Sequence, residues 1–271
     1  MTIAQAIKQA THSLPNCQRP RYEAELLLSL HLKCDRNYLF LHENEDIVDC
    51  SGYFELVKRR AQNEPFEYIS KKVSFYDTNL FVKKGVLIPR PETELLIDEI
   101  ASIIREHNLT RIAEIGVGSG AISIMLARKF PHLQIVATDI SSLALEVAAQ
   151  NIMNFNLDNK ISLVHTSLLD GVDDEFELIV SNPPYIAQDT KLEPNVIDYE
   201  PKEALFGGES GDEILKQIID TTKERKIQWL GCEMGFDQKD SMERYLTKCG
   251  VKYTKFYDDL ANLNRGFIAR F

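Results

Sequence analysis

The chain is 271 residues long, with 44% hydrophobic and 27% charged residues. These fractions are near the averages of globular proteins and exclude a disordered or fibrous chain. The length exceeds that of a usual single core, so we expect one domain of ordinary size and a smaller companion. The sequence has no run of 18 apolar residues and does not start like a secretion signal, which predicts a soluble, cytoplasmic protein without a membrane partner.

Charge and cysteine content narrow the possible partners. The 31 basic and 41 acidic residues give a net charge of −10, which disfavours tight non-specific binding to nucleic-acid phosphates. The cysteines are odd in number and lack CxxC spacing, so neither a disulfide framework nor a metal site is predicted. We expect reduced thiols at Cys17, Cys34, Cys50, Cys232 and Cys249.

Residues 1–70 are predicted to form a small helical domain, because apolar residues recur at helical spacing between Ala24 and Leu32 and again in 53–57. Ten basic and ten acidic residues balance each other through Lys72, so the negative excess lies in the rest of the chain.

A β-hairpin linker is predicted over residues 71–88. Two runs of apolar and aromatic residues, 73–76 and 80–82, flank the turn formers Asp77-Thr78-Asn79. The remaining residues, 89–271, are predicted to form the larger domain.

Within this larger domain, short apolar runs alternate with amphipathic segments, which is typical of a parallel α/β sheet. Two crossover helices of ordinary length are expected at 119–130 and 142–155. The predicted strands are 112–115, 134–138, 161–164, 176–181 and 228–230.

A glycine-rich loop joins the first of these strands to a helix. Gly116, Gly118 and Gly120 let the backbone approach a ligand at the strand's carboxyl end and adopt φ values that other residues avoid. A nucleotide-like ligand is therefore expected here. The loop also satisfies G-x-G-x-x-[GA] with Ala121 last, so a nicotinamide or flavin site stays open at this point.

Two carboxylates accompany the loop. Asp139 ends the second strand, where it can accept hydrogen bonds from both ribose hydroxyls of an adenosine. No arginine stands beside it, which disfavours a 2′-phosphorylated cofactor. Glu114 can bind the cationic amino group of a methionine tail, which a dinucleotide lacks, or it can instead cap local backbone amides.

The fourth strand ends in Asn182-Pro183-Pro184-Tyr185 at the same crevice. Two consecutive prolines have no N–H group, so the loop offers acceptors and withholds donors. The Asn182 oxygen and a proline carbonyl can pin an –NH₂ group, while Tyr185 stacks on the flat group that carries it. Methyl transfer from a sulfonium needs positioning and no dedicated base, so the loop predicts S-adenosylmethionine-dependent methylation of an amide or amino nitrogen.

These features together resemble the PrmC/HemK family, whose members methylate the glutamine N5 of peptide-chain release factors. The resemblance covers nearly the whole chain and is most specific in the stretch from Val86 to Glu94. Further matching stretches are 23–28, Glu200-Pro201, 204–208, Asp259-Leu260 and Arg265.

The resemblance implies a class I methyltransferase: a Rossmann-like, mostly parallel seven-stranded sheet with an antiparallel C-terminal hairpin, plus an N-terminal helical domain that docks the release factor. It implies methyl transfer to the glutamine of the GGQ motif, which modulates translation termination, with S-adenosylhomocysteine as product. The implied cofactor-binding residues are Glu114, Gly116, Val117, Gly118, Ser119, Gly120, Asp139, Leu168 and Asn182, and the implied catalytic residues are Asn182, Pro183, Pro184 and Tyr185.

Two other functions compete with this interpretation. A DNA or RNA methyltransferase acting on an exocyclic amine, such as adenine N6, would present the same –NH₂ on a flat group. Such an enzyme usually needs a basic recognition surface, which the balanced first 72 residues and the acidic remainder do not supply. A non-enzymatic dinucleotide-binding module would leave the acceptor-only loop unexplained.

Overall fold

The computed structural model describes residues 1–271, and its chain forms two compact units. The first comprises residues 1–71 together with 193–199, and the second comprises 72–192 and 200–271. No helix is both long and apolar enough to cross a membrane.

In chain order the helices are α1 (Ile3–His12), α2 (Pro20–Leu32), α3 (Arg36–Leu41), α4 (Ser51–Ala61), α5 (Phe66–Ser70), α6 (Thr93–His107), α7 (Ala121–Lys129), α8 (Ser142–Asn154), α9 (Pro194–Ile197), α10 (Glu213–Glu224) and α11 (Lys239–Cys249), with a short 3₁₀ helix at Lys202–Ala204. The strands are β1 (Lys72–Phe75), β2 (Thr78–Phe81), β3 (Arg111–Ile115), β4 (Gln134–Asp139), β5 (Ile161–His165), β6 (Leu178–Ser181), β7 (Ile186–Ala187), β8 (Phe206–Gly208), β9 (Trp229–Glu233), β10 (Tyr253–Asp258) and β11 (Asn264–Arg270).

The first unit is all helical, as its apolar spacing predicts. Its α1 starts at a capping box in which Thr2 and Gln5 each accept a backbone N–H from the other. The core includes fully buried Tyr53, whose hydroxyl donates to the Ala24 carbonyl at 3.1 Å. Burying this phenol is tolerable because its one polar atom is paired.

The second unit is built on a seven-stranded sheet in the order β10-β11-β9-β6-β3-β4-β5. The pairs β9-β6, β6-β3, β3-β4 and β4-β5 are parallel, whereas β11 runs antiparallel to β9 and β10. This arrangement confirms the predicted mostly parallel sheet with an antiparallel C-terminal hairpin. It brings the carboxyl ends of β3, β4 and β6 to one edge of the sheet.

The hairpin of β1 and β2 turns earlier than predicted. Thr78 and Asn79, which were expected in the turn, pair in β2 with Phe75 and Ser74. The turn lies at Tyr76, whose φ of +50° is unusual for a bulky residue. Glu94 holds it there, since the Tyr76 N–H donates to Glu94 Oε1 and its hydroxyl to the Glu94 carbonyl, both at 2.8 Å.

Asn151 of α8 connects this hairpin to the glycine-rich loop. Its Oδ1 accepts from the Phe81 N–H at 2.8 Å, and its Nδ2 donates to the carbonyls of Phe81 and Ser119 at 2.9 and 2.8 Å. The side chain is almost fully buried, so water cannot replace these bonds. Asn151 therefore supports the backbone that leads into α7.

We expect Asn151→Ala to lower the free energy of unfolding by about 2–4 kcal/mol, because it leaves buried backbone groups without hydrogen-bond partners. Asn154→Ala, an exposed position on the same helix, is the matched control. Urea unfolding of both variants measures the difference. Equal stability of the two variants would contradict the role given to Asn151.

Candidate functional site

A cavity of about 320 Å³ opens at the carboxyl ends of β3, β4 and β6. Its wall brings together residues that lie far apart in the sequence, as the parallel topology requires. The sequence-predicted residues on the wall are Gly116, Gly118, Asp139, Leu168, Asn182, Pro183 and Pro184. Gly85, Val86, Leu87, Ile140 and Pro201 are among the wall residues that sequence reasoning did not assign.

The glycine-rich loop turns tightly at the end of β3. Gly116 and Val117 donate their N–H groups to the Thr138 carbonyl at 2.8 and 2.9 Å. Gly116 and Gly118 have φ values of +76° and +54°, and a Cβ on either would meet no atom within 4 Å. Backbone conformation rather than crowding therefore requires glycine here, and the loop presents bare backbone to the cavity.

Asp139 faces the same cavity from the end of β4. Its carboxylate accepts from the Gly118 N–H and the Ser141 N–H, each at 2.9 Å. Burial raises its pKa, and these backbone hydrogen bonds oppose the rise. These two hydrogen bonds also fix the orientation of the carboxylate group, and with it the directions of its remaining lone pairs.

Several predicted residues lie behind the wall. Val117 and Ser119 are each 3% exposed, and Gly120 immediately precedes α7. Glu114 is 1% exposed, and its Oε2 accepts from the Ser123 N–H at 3.0 Å and from the Ser123 hydroxyl. Glu114 therefore caps a backbone N–H group, as the second interpretation of this residue predicts. The hydrogen bonds use one of its two carboxylate oxygens.

The Asn182-Pro183-Pro184 loop lines the same cavity from the end of β6, which β3 separates from β4 and Asp139. Asn182 Nδ2 donates to Thr93 Oγ1 at 3.0 Å. A Cβ on Gly207 would lie 2.5 Å from the Pro184 carbonyl oxygen, so this glycine is needed for the close backbone approach that holds the loop.

Tyr185 does not line the cavity. Its hydroxyl donates to Glu233 Oε1 at 3.1 Å, its carbonyl accepts from Gln238 Nε2 at 2.9 Å, and its ring packs against the core. Burial raises the pKa of the phenol, so it stays neutral and acts as a donor. The structure brings Asn182, Pro183 and Pro184 together at the cavity and places Tyr185 behind them.

An ion pair that sequence reasoning left without a role joins two parts of the wall. Arg90 donates to Glu200 Oε1, and Glu200 Oε2 accepts from the Ile88 N–H at 3.1 Å. Glu200 is 5% exposed and directly precedes the wall residue Pro201, while its partners Ile88 and Arg90 closely follow the wall residue Leu87. The matching stretches Val86 to Glu94 and Glu200-Pro201 are the only signal for this pair in the sequence.

Two domain families match the chain. Residues 5–70 match the PrmC N-terminal domain, and residues 90–199 match the methyltransferase small domain. The chain is 34% identical to the release factor glutamine methyltransferase of Koribacter versatilis, over 91% of each chain. It is 35% identical to the enzyme of the same name from Coxiella burnetii, over 100% of this chain and 99% of that one.

Solved structures share the fold at lower identity. The catalytic domain of hMettl16 in complex with MAT2A 3′UTR hairpin 6 has a TM-score of 0.58 at 19% identity, covering 70% of this chain and 74% of that one. The N-terminal domain of human METTL16 has a TM-score of 0.55 at 18% identity, covering 79% and 81%.

Sheet order and glycine loop define a class I methyltransferase, whose cofactor is S-adenosylmethionine. At the identities and coverages above, the chain belongs to the release factor glutamine methyltransferase family.

Buried Glu114 makes stability depend on pH. Burial raises its pKa from an ordinary value of 4.5 to about 8, so its stabilising contribution is complete below pH 4.5 and is lost as the pH rises through about 8. We expect Glu114→Gln to abolish this loss. Between pH 4.5 and about 8, the free energy of unfolding of the wild type should therefore fall relative to that of the variant. At about 1.4 kcal/mol per pKa unit, this fall is several kcal/mol at most.

Urea unfolding of the cofactor-free proteins at several pH values measures this effect, with Glu224→Gln, at an exposed position of α10, as control. Buried carboxylates that do not interact with Glu114 titrate equally in all three proteins and cancel, and Asp139, which does interact with it, belongs to the measured difference. Parallel curves for wild type and Glu114→Gln would show that Glu114 does not titrate in this range.

Proposed function

We propose that this protein transfers the methyl group of S-adenosylmethionine to the side-chain N5 of the glutamine in the GGQ motif of peptide-chain release factors. The observation that carries the proposal is that the acceptor-only rim of Asn182, Pro183 and Pro184 lines the same cavity as Asp139 and the glycine-rich loop. Family membership supports the same assignment, since the relatives are named for this reaction.

The proposed cofactor site uses the glycine-rich loop and the end of β4, which line the same cavity as the rim. Bare backbone at Gly116 and Gly118 admits the methionine portion, and Asp139 accepts hydrogen bonds from the ribose hydroxyls. Leu168 contacts the adenine with its apolar side chain, on a loop held by the Thr138 hydroxyl, which donates to the Leu168 carbonyl at 2.7 Å.

Residues behind the wall complete this proposed site. Val117, Ser119 and Gly120 shape the turn, and Glu114 attracts the cationic amino group of the methionine portion through its charge. Binding a cation there would lower the raised pKa of Glu114.

The chemistry follows from the acceptors that face the substrate. The bound cofactor supplies an electrophilic methyl carbon on a sulfonium. Asn182 Oδ1 and a carbonyl of the Pro183-Pro184 pair accept the two amide protons of the glutamine, which fixes the nitrogen and aims its lone pair at the methyl carbon. S-adenosylmethionine bound there would donate its methyl group to the held nitrogen and leave as the thioether with the electron pair of the C–S bond, and the nitrogen would give up one of its two protons to water.

The helical unit is proposed to dock the release factor. Residues 1–72 carry ten basic and ten acidic residues, and this balance suits protein docking better than tracking along phosphates. Tyr185 is proposed to support the rim from behind, where its contacts place it, instead of stacking on the substrate.

A labelled-methyl assay against intact release factor and duplex DNA tests the proposal. We expect methylation of the release factor to be faster by far. Asn182→Ala should lower the rate about 10²–10³-fold with little change in cofactor affinity, as for loss of one transition-state hydrogen bond. Asp139→Ala should instead weaken cofactor binding by about 1–3 kcal/mol. Faster methylation of DNA by the wild type would overturn the substrate assignment.

A further inference from the structure

Behind the rim, a chain of hydrogen bonds leads from Asn182 to a buried carboxylate. Asn182 Nδ2 and Thr93 Oγ1 are 3.0 Å apart, and Thr93 Oγ1 and Glu233 Oε2 are 2.8 Å apart. The other oxygen of Glu233 accepts from the Tyr185 hydroxyl at 3.1 Å. Thr93 is 3% exposed and Glu233 is 1% exposed, so water does not compete for these bonds.

The direction of each bond follows from the chemistry of the groups. An ionised carboxylate only accepts, so Thr93 must give its single hydroxyl proton to Glu233. The Thr93 oxygen can then only accept from Asn182, which compels the Asn182 amide to turn its NH₂ group towards Thr93. Oδ1 of Asn182 is thereby left to accept from a ligand in the cavity.

We propose that Thr93 and Glu233 are positioning residues that fix the Asn182 side-chain amide in the one orientation able to receive a substrate –NH₂ group. This inference rests on the proposed function. It explains why the Asn182 side chain offers its oxygen, and not its NH₂ group, to the substrate. Neither residue touches the cavity, and both act through Asn182.

Protonation of Glu233 would reverse the chain. A neutral carboxyl can donate to Thr93, whose hydroxyl proton is then free to turn to Asn182, where only Oδ1 can accept it. The Asn182 amide then presents its NH₂ group to the cavity, where it faces the NH₂ group of the substrate. Two donors cannot form a hydrogen bond with each other. Turnover should therefore fall as the pH drops below the pKa of Glu233.

The surroundings place this titration near neutrality. Burial raises the pKa of Glu233 to about 7, against the hydrogen bonds from Thr93 and Tyr185. Of the charged neighbours, Glu92 raises this pKa further and Arg265 lowers it. Tyr257 faces the carboxylate from β10, and burial holds its own pKa well above the usual value, so it stays neutral.

The test measures kcat with saturating release factor, cofactor affinity by calorimetry, and the pH profile. Thr93→Val keeps the shape of the side chain and removes the hydroxyl, and we expect it to lower kcat about tenfold, which corresponds to about 1.4 kcal/mol. Cofactor affinity should not change. Thr93→Ser should restore kcat to within about twofold of the wild type, since one hydroxyl can make both bonds.

The pH profile separates positioning from mere structural support. The wild type should lose activity as the pH falls below about 7, whereas Glu233→Gln, which cannot titrate, should lack this acid limb. Glu92→Gln removes a neighbouring charge outside the chain of hydrogen bonds, so it should keep the limb at a somewhat lower pH.

An unchanged kcat in Thr93→Val, or an acid limb in Glu233→Gln equal to that of the wild type, would overturn the inference. Asn182→Ala separates this failure from failure of the proposed function. If Asn182→Ala is slow while Thr93→Val is not, only the positioning role is wrong. If Asn182→Ala turns over like the wild type, the proposed site itself is wrong. Should Thr93→Val not fold, the profiles of the Glu233→Gln and Glu92→Gln variants decide alone.

Discussion

Pro183 and Pro184 remove two backbone N–H groups from the loop that follows β6, so this edge of the cavity can accept hydrogen bonds but hardly donate them. Because β6 lies between β3 and β9, its loop meets the glycine-rich loop on one side and the end of β9 on the other. Residues of the proposed cofactor site and of the proposed substrate site thereby line one cavity.

Three buried glutamates support this arrangement, each in a different way. Glu200 pairs with Arg90 and holds the segments beside the cavity. Glu114 caps the first turn of α7 through Ser123, and Glu233 accepts from two hydroxyls behind the rim. Burial of an unpaired carboxylate costs stability, and the pKa values of Glu114 and Glu233 rise to about 8 and about 7 for this reason.

Much of this architecture could be predicted from local patterns. Short apolar runs predict the parallel strands. The glycine and proline residues predict the two loops at the carboxyl ends of these strands, since both residue types act through backbone properties that are visible in the sequence. The start of β6 at Leu178 and the extension of β9 to Glu233 differ from the predicted limits. The prediction at 228–230 found β9 but missed its extension to the charged residue Glu233, although all residues of the strand are buried.

Contacts between distant residues could not be predicted in the same way. The turn at Tyr76 depends on Glu94, and the orientation of Asn182 depends on Thr93 and Glu233, all of which are separated in sequence by 18 residues or more. A Thr at the first residue of a helix and a Glu at the end of a strand have ordinary local explanations. Their relation to Asn182 exists only once the sheet order places β6 beside β9.

The most direct test of the acceptor-only rim is calorimetric binding of release factor in the presence of S-adenosylhomocysteine, comparing the GGQ glutamine with glutamate at that position. Glutamate has nearly the same shape but offers no N–H group, so the rim should face it with acceptors alone. Binding should weaken about 5- to 150-fold, since unpaired buried acceptors cost about 1–3 kcal/mol. Equal affinity for both release factors would contradict recognition of the amide by Asn182 and the proline loop.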